Sequence, residues 1–172
     1  MKLPIRVLLT SIVAAVALAA CAGKTKPTPP PAPEQAPPPP MTHGETERGY
    51  TVEDLDTDSC LRQRVVYFDF DKTDIKPQFE QAIACHAKYL RQFPGARVTL
   101  EGNADERGTR EYNLGLGERR GNSVSSALGA AGASTSQLNV VSYGEERPVC
   151  KEHTEDCWQK NRRVEIVYTS KQ

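Results

Sequence analysis

A proline-rich segment divides the chain and limits where a folded core can form. Nine of the fourteen residues between Pro27 and Pro40 are proline. Proline lacks a backbone N–H and fixes φ, so this composition favours extended polyproline II structure and cannot build a packed core. We therefore assign residues 21–49 to an extended tether and residues 50–172 to one folded domain, a length that allows a single modest core.

The first twenty residues have the composition of a secretory signal peptide. Lys2 and Arg6 precede a largely apolar run, VLLTSIVAAVALAA, that is too short to cross roughly 30 Å of hydrocarbon comfortably. The run ends in LAAC, which resembles a bacterial lipobox whose cysteine, here Cys21, becomes the lipid-bearing first residue. Ala22 follows where an aspartate would resemble an inner-membrane retention signal. We expect a signal peptide over 1–20 and a lipid anchor at the periplasmic face of the outer membrane; an ordinary secretory signal is the alternative.

The charge balance of the mature chain argues against a nucleic-acid partner. Removing residues 1–20 takes Lys2 and Arg6 from the 22 cations and leaves all 22 anions. Binding to nucleic acid without sequence preference needs an excess of Lys and Arg to neutralise phosphates. A nearly neutral chain therefore makes nucleic-acid binding a poor hypothesis.

Four cysteines remain in the folded part. An even number of cysteines in an exported chain indicates disulfides, here with three possible connectivities. Cys150 and Cys157 would close a loop of about eight residues. Cys85 falls off the buried stripe of a predicted helix, where the segment that contains Cys60 can reach it. We predict the pairs Cys150–Cys157 and Cys60–Cys85.

Hydrophobic periodicity predicts an α/β (α+β) two-layer sandwich. Alternating β-branched and aromatic residues indicate four strands, and apolar residues at spacings of three and four indicate two helices. Their order gives a βαβαβ(α)β fold, with the helices on one face of a mixed four-stranded sheet. The predicted strands are 64–70, 97–101, 139–143 and 163–168, and the predicted helices are 77–92 and 110–129.

Two details of the helices carry further expectations. His86 falls on or near the apolar stripe of the first helix, so we interpret it as a packed histidine rather than a ligand. Gly117 and Gly121 lie on the apolar stripe of the second helix. Because each glycine costs roughly 1 kcal/mol of helix propensity relative to alanine, we expect the helix to pack closely on the sheet there.

One acid and one base are predicted to meet at the rim of the sheet. At 100° per residue, Asn113, Leu116 and Arg120 share one edge of the second helix, and Asp105 precedes that helix in a turn. A fixed Asp/Arg pair can bind a ligand that carries an ammonium and a carboxylate on the same carbon. The alternative, a structural salt bridge between Asp105 and Arg120, is equally consistent with the spacing.

Several segments in the same order resemble the OmpA-like peptidoglycan-binding domain. They are VYFDFDKTDI, EGNADERGTREYNLGLGERRGNSV, VVSYGEERP and NRRVEIVY, which together span about residues 64–168. The resemblance implies non-covalent binding of the meso-diaminopimelate side chain of the peptidoglycan stem peptide, with no cofactor and no enzymatic activity. Asn103 departs from the family, which usually has histidine at this position.

The resemblance also implies which residues contact peptidoglycan. The family's aspartate, arginine and helix asparagine correspond to Asp105, Arg120 and Asn113. Positions that line the family's pocket correspond to Phe70, Asp71 and Leu116. Arg162 of NRRV matches a family arginine near the site, and a structural role for it, bracing the last strand, is equally consistent.

Lipoproteins of this family imply partners beyond the wall. They belong to the Tol system of envelope integrity and cell division, and their domain also binds TolB, the periplasmic member of that system, over a surface that overlaps the peptidoglycan site. The expected partners are therefore peptidoglycan, TolB and other Tol components, and the outer membrane through the lipid. The alternatives are an envelope anchor of a secretion or motor system and a wall hydrolase, although no acid/base pair supports a hydrolase.

Two apparent metal motifs are weaker than their alternatives. Asp69, Asp71 and Asp74 lack the glycine and the later bidentate glutamate of a calcium loop, which favours a solvated turn. Cys150, His153 and Cys157 have no fourth partner nearby, which favours the disulfide over a zinc site. We therefore predict no metal site.

Overall fold

Four strands and four helices form the domain. The computed structural model describes residues 49–172, so the predicted signal peptide, Cys21 and all of the tether before Gly49 lie outside the described residues. No helix in the described range is long and apolar enough to cross a bilayer. The strands are β1 (Val65–Tyr67), β2 (Arg97–Asn103), β3 (Leu138–Gly144) and β4 (Arg163–Ser170), and the helices are α1 (Asp54–Thr57), α2 (Glu80–Gln92), α3 (Arg110–Ala130) and α4 (Glu155–Asn161).

The sheet is mixed, with strand order β1-β4-β2-β3. β2 and β3 are parallel and are connected through α3, whereas β4 pairs antiparallel with both β1 and β2. α3 packs on β2 and β3, and α2 packs beside α3. The predicted fold class is thereby confirmed, and the predicted optional helix is α4, a short helix in the connection between β3 and β4.

β1 is shorter than the predicted strand over 64–70. Its last pair in the ladder is Tyr67 with Arg163, where β4 begins, so the antiparallel partner is exhausted at that point. Phe68 still donates its backbone N–H to the Arg162 carbonyl and is fully buried. Phe70, which alternation would place in the core, is instead 53% exposed. The chain has already left the sheet there, because an edge strand extends only as far as its neighbour.

α2 packs its predicted stripe into the core. A short 3₁₀ turn, Pro77–Phe79, leads into the helix, which suits a residue that lacks an N–H. Phe79, Ile83, Ala87 and Leu90 are at most 4% exposed. Full burial of a large apolar side chain contributes about 1.5–3 kcal/mol, so this face fixes the helix on the sheet.

Both disulfides join the predicted pairs. Cys60 is bonded to Cys85 of α2, with 6.2 Å between their Cα atoms. Cys150 is bonded to Cys157 of α4, with 5.0 Å between their Cα atoms. The first attaches the segment before β1 to α2, and the second attaches α4 to the loop that precedes it.

The glycines of α3 let this helix approach the sheet backbone. A Cβ on Gly117 would lie 2.4 Å from Ser142 Oγ and 2.8 Å from the Gly102 carbonyl oxygen. A Cβ on Gly121 would lie 2.5 Å from a methyl carbon of Val140. Side chains at these positions would push α3 away from β2 and β3, which explains why the apolar stripe of the helix contains glycine.

His86 is a packed, neutral histidine. It is fully buried, and its Nε2 lies 3.3 Å from the Gln63 carbonyl oxygen. A carbonyl can only accept, so Nε2 carries the proton and Nδ1 accepts from the Tyr168 hydroxyl at 2.9 Å. Burial is the main cause that lowers the pKa of His86, to about 4, while the hydrogen bond to Gln63 opposes it.

Gly117→Ala should lower the free energy of unfolding by about 1–3 kcal/mol, because the added carbon would collide with Ser142 and the backbone of Gly102. Gly129→Ala in the same helix is the matched control, since apart from its chain neighbours and the helix's own backbone no atom lies within 4 Å of its added carbon. There the gain in helix propensity should stabilise the protein by about 0.5–1 kcal/mol. Urea unfolding measures both changes, and equal effects of the two substitutions would contradict the close approach of helix and sheet.

His86 should make the protein less stable in mild acid. Because its folded-state pKa of about 4 is below the unfolded value of 6.5, only the unfolded chain takes up this proton between those pH values. The difference corresponds to about 3 kcal/mol, which is lost as the pH falls from 7 to 4. His86→Asn keeps an amide acceptor near the Nδ1 position for the Tyr168 hydroxyl and has no group that titrates, so it should lose this part of the pH dependence in urea unfolding. The control is His153→Asn, on an exposed histidine, which should not reduce it.

Candidate functional site

A cavity of about 180 Å³ opens at the end of the sheet where β1 and β2 lead into their loops. Its walls come from the loop after β1, the loop after β2 and the first three turns of α3. Six of the seven residues that the sequence assigns to peptidoglycan binding line it. The lining residues are Phe70, Asp71, Asp105, Arg107, Gly108, Tyr112, Asn113, Leu116 and Arg120.

Asp105 lies in the wall of the cavity and is 3% exposed. Its Oδ1 accepts from the Arg107 backbone N–H at 3.0 Å and from Arg107 Nε at 3.1 Å. Its Oδ2 accepts from Arg107 Nη2 at 2.7 Å and from Arg162 Nη1 at 3.0 Å. Burial alone would raise the pKa of Asp105, but the hydrogen bonds from Arg107 and Arg162 outweigh it and hold the pKa below its usual value. The carboxylate is therefore ionised at neutral pH.

Arg120 is fully buried and binds backbone rather than carboxylate groups. Its Nε donates to the Lys72 carbonyl at 2.9 Å, Nη1 to the Asn103 carbonyl at 2.9 Å and Nη2 to the Asp69 carbonyl at 3.1 Å. Burial lowers the pKa of Arg120 to about 10, so it remains protonated at neutral pH. Among the described residues it has no salt-bridge partner within 4 Å. The direct Asp105–Arg120 salt bridge, which the spacing left open, is therefore not formed.

Arg162 lies behind the cavity rather than on its wall, with a side chain that is 3% exposed. Besides Asp105, it donates to the Phe68 carbonyl at 3.2 Å and, through Nη2, to Glu155 and Gln159 at 2.6 Å each. Arg162 is not among the residues that line the cavity, and a direct ligand contact by Arg162 stays a prediction. In this structure the arginine orients Asp105 and connects it to α4.

Asn113 and Leu116 contribute one polar and one apolar group from α3. Asn113 is 1% exposed, and its amide donates to the Glu145 carboxylate in the loop after β3. Leu116 is 5% exposed and lies one turn before Arg120. These residues share the predicted helix edge, which the structure turns toward the cavity.

Asp71 and Phe70 form the outer rim. Asp71 has φ of +56°, which makes it the one described residue other than glycine in the left-handed region. Aspartate tolerates this conformation better than most residues, and such backbone is frequent at binding sites. Its carboxylate accepts from the Tyr112 hydroxyl of α3. The rim therefore presents one carboxylate with no salt-bridge partner among the described residues, beside the exposed Phe70 ring.

Arg107 belongs to the site, although sequence reasoning did not assign it. Its guanidinium lies between two aromatic rings, 4.0 Å from the centroid of Phe70 and 4.2 Å from that of Trp158. Its Nη1 lies 3.4 Å from Glu155 Oε2. Trp158 and Glu155 come from α4, so their approach to Arg107 depends on tertiary packing. The presence of a single tryptophan in the chain was the one signal that could have drawn attention to this helix.

α4 is held against the site by its own contacts. The Thr154 side chain caps its first turn by accepting from the Cys157 backbone N–H, and the disulfide attaches the same turn. Trp158 Nε1 donates to Glu106 at 2.7 Å.

No cluster of three His, Cys, Asp or Glu side chains that could hold a metal ion occurs between residues 49 and 172.

Comparison with known proteins identifies the family. The OmpA family matches residues 67–162, which is more than half of the chain. The chain belongs to the OmpA family. The matched range begins in β1 and ends at Arg162, so it contains every residue that lines the cavity. The resemblance seen in the sequence is thereby confirmed.

Relatives within the OmpA family are peptidoglycan-associated lipoproteins. The protein of that name from Haemophilus influenzae is 45% identical over 124 residues, covering 72% of this chain and 78% of the relative. The crystal structure of the peptidoglycan-associated lipoprotein from Burkholderia pseudomallei is 43% identical, with a TM-score of 0.65, and the match covers 67% of this chain and 98% of that one. Both relatives are named for an association with peptidoglycan.

A motor protein shares the fold but little of the sequence. The C-terminal domain of MotB from Helicobacter pylori has a TM-score of 0.56 and covers 61% of this chain and 82% of that one. Its identity is 23%, so the match shows a common fold alone. It gives no support to a motor role for this chain.

Proposed function

We propose that this protein is an outer-membrane lipoprotein that binds peptidoglycan non-covalently, through the diaminopimelate side chain of the stem peptide. One observation carries the proposal: Arg120 is a fully buried cation in a cavity wall, with no salt bridge to a carboxylate among the described residues. Buried charges in proteins are normally paired, because removing a charge from water is expensive. A carboxylate from outside the protein would supply the missing partner.

The donors that remain on Arg120 suit a carboxylate. A guanidinium has five N–H groups, and three on Arg120 donate to carbonyls, one each from Nε, Nη1 and Nη2. One N–H on each Nη therefore makes no hydrogen bond to a described residue. Two such donors can bind the two oxygens of a carboxylate, and the three carbonyls hold the guanidinium in place for this contact.

The cavity also presents carboxylates that suit an ammonium. Asp105 and Asp71 both line the cavity, and the pKa of Asp105 is held low, so the Asp105 carboxylate is ionised at neutral pH and pairs with Arg107 and Arg162 in the free protein. A group with an ammonium and a carboxylate on one carbon is therefore complementary to these carboxylates and to Arg120. Pockets for drug-sized ligands measure about 300–1,000 Å³. At about 180 Å³ this cavity fits a smaller group, such as the end of one diaminopimelate side chain.

The position in the envelope follows from the N-terminal segment and the relatives. The lipobox-like LAAC and the proline-rich segment give an anchor and a spacer, and the relatives are peptidoglycan-associated lipoproteins. We accordingly assign the protein to the Tol–Pal system of envelope integrity and cell division, with TolB as a protein partner. Phe70 and Tyr112 beside the cavity are 53% and 45% exposed, and exposed aromatic residues suit a protein interface that overlaps the ligand site.

Arg120→Ala and Asp105→Ala should each weaken binding of the mature protein to diaminopimelate-type sacculi by about 30-fold to several thousandfold. Removing one partner of a desolvated charge pair costs about 2–5 kcal/mol. Arg120→Lys should rescue poorly, because an ammonium cannot donate two parallel bonds in the same plane. Wild-type protein should bind lysine-type sacculi far more weakly, since lysine lacks the second carboxylate. Co-sedimentation with purified sacculi measures all four comparisons.

The controls separate binding from folding. Arg110→Ala removes the same charge from the first turn of α3, at a residue that does not line the cavity, and should bind sacculi as wild type does. Arg120 also connects three carbonyls, so circular dichroism at the assay temperature must show that each variant is folded. Retention of wall binding by folded Arg120→Ala protein would refute the proposal. A sacculus digestion assay on the same samples tests for hydrolase activity.

Mass spectrometry of the mature protein should find an acylated N-terminus at Cys21. Replacing residues 1–20 with an ordinary secretory signal and adding Cys21→Ser should release the protein from the membrane fraction. The released protein should still bind sacculi, and purified TolB should compete for it. An unmodified N-terminus would argue against the anchor, and simultaneous binding of TolB and sacculi would argue against overlapping surfaces.

A further inference from the structure

The carboxylate of Asp105 is already saturated with hydrogen bonds. A carboxylate offers about four lone-pair sites on its two oxygens. Asp105 accepts four hydrogen bonds, three from Arg107 and one from Arg162, with two on each oxygen. A ligand ammonium can therefore form a hydrogen-bonded ion pair with Asp105 only after one of these donors has moved away.

The Arg107 side chain is the donor that can leave. The Arg162 side chain is 3% exposed and is held by three further groups, so its departure would disrupt α4. The backbone N–H of Arg107 is fixed by the turn that contains Asp105. The Arg107 side chain is 30% exposed and supplies two of the four bonds, through Nε and Nη2.

Other contacts provide a place for the displaced guanidinium. It already lies between the rings of Phe70 and Trp158, and its Nη1 faces Glu155, whose side chain is 61% exposed. A small rotation away from Asp105 can keep the cation near both rings and bring it closer to the Glu155 carboxylate. Arg107 also lines the cavity, so its movement makes room beside Asp105 for the incoming group.

We propose that Arg107 is an internal competitor that occupies Asp105 in the free protein and that the ligand's ammonium displaces. This inference rests on the proposed function, because it requires a ligand with an ammonium next to its carboxylate. In the free protein, the Arg107 guanidinium stands in for the ammonium and keeps the buried carboxylate paired. Arg107 thereby sets the affinity and contributes to specificity: a ligand without an ammonium cannot compensate Asp105 and leaves Arg107 where it is.

The test compares two synthetic stem tripeptides, L-Ala-γ-D-Glu-X, on the full mature chain in detergent. In one, X is meso-diaminopimelate. In the other, X is 2-aminopimelate, which keeps the side-chain carboxylate and lacks its ammonium. Arg107→Met removes the guanidinium and leaves an unbranched side chain that can pack between the two rings. Titration calorimetry should show the ratio of the two affinities, diaminopimelate over aminopimelate, rising at least fivefold in Arg107→Met.

The matched control is Arg110→Met. Arg110 pairs with Glu146 at the surface and does not line the cavity, so this variant removes the same charge without touching Asp105. Its affinity ratio should stay within twofold of wild type. An unchanged or lower ratio in Arg107→Met would overturn the proposal, because Arg107 would then be neutral or helpful to ammonium binding.

The single tryptophan supplies an independent readout of displacement. Trp158 is the only tryptophan in the sequence, and it contacts the Arg107 guanidinium. Diaminopimelate tripeptide should produce a saturable change in tryptophan emission of wild type, and a much smaller change in Arg107→Met. An equal change in both proteins would contradict movement of Arg107.

A wrong ligand assignment would give different binding results from a wrong role for Arg107. If wild type bound neither tripeptide, or if Arg120→Ala bound diaminopimelate tripeptide as tightly as wild type, the ligand assignment itself would be wrong. If wild type binds and Arg120→Ala does not, the site is correct, and the affinity ratio for Arg107→Met then decides whether Arg107 competes.

Discussion

The buried ion pair between Asp105 and Arg162 is the interaction on which the site depends. Both side chains are at most 3% exposed, so neither charge is solvated by bulk water, and each must be satisfied by protein groups. Arg162 satisfies this requirement by linking the Asp105 carboxylate, the backbone at the end of β1 and two side chains of α4. Three separate parts of the chain therefore converge on one guanidinium, and the cavity lies directly beside it.

The second constraint is the close contact between α3 and the sheet. Gly117 allows the helix to approach the backbone of β2, and Arg120, three residues later, is thereby brought within reach of the carbonyls of Asn103, Asp69 and Lys72. Those carbonyls offset part of the free-energy cost of burying the cation, but they do not cancel its charge. The helix that supplies the glycine thus also supplies a cation that remains available to an anion.

The spacing of apolar residues predicted the strands and helices because side chains repeat every two residues in a strand and every three to four residues in a helix. Alternation located all four strands, and the three-and-four spacing located α2 and α3. The same pattern extended β1 to Phe70, since alternation carries no information about where the neighbouring strand begins. Helix geometry also placed Asn113, Leu116 and Arg120 on one edge, which the structure turns toward the cavity.

The remaining parts of the site required tertiary information. Arg107 lies two residues after the predicted aspartate, but its role follows from Phe70 and Trp158, which lie 37 residues before it and 51 residues after it in the numbering of the chain. Arg162 was placed near the site by resemblance, whereas its position behind Asp105 follows from where α4 packs. Sequence spacing identifies which residue types can meet, but the partner of a charged side chain depends on folding.

The two ends of the sheet have different mechanical roles. The chain enters the described domain at Tyr50, whose backbone N–H donates to Gln92 at the last turn of α2, and the Cys60–Cys85 disulfide attaches the entering segment covalently to that helix. The cavity lies at the opposite end of β2, beyond Asn103. A pull on the entering segment against a ligand held in the cavity is therefore directed along the strands, so hydrogen bonds between neighbouring strands are loaded in shear instead of being peeled apart one by one.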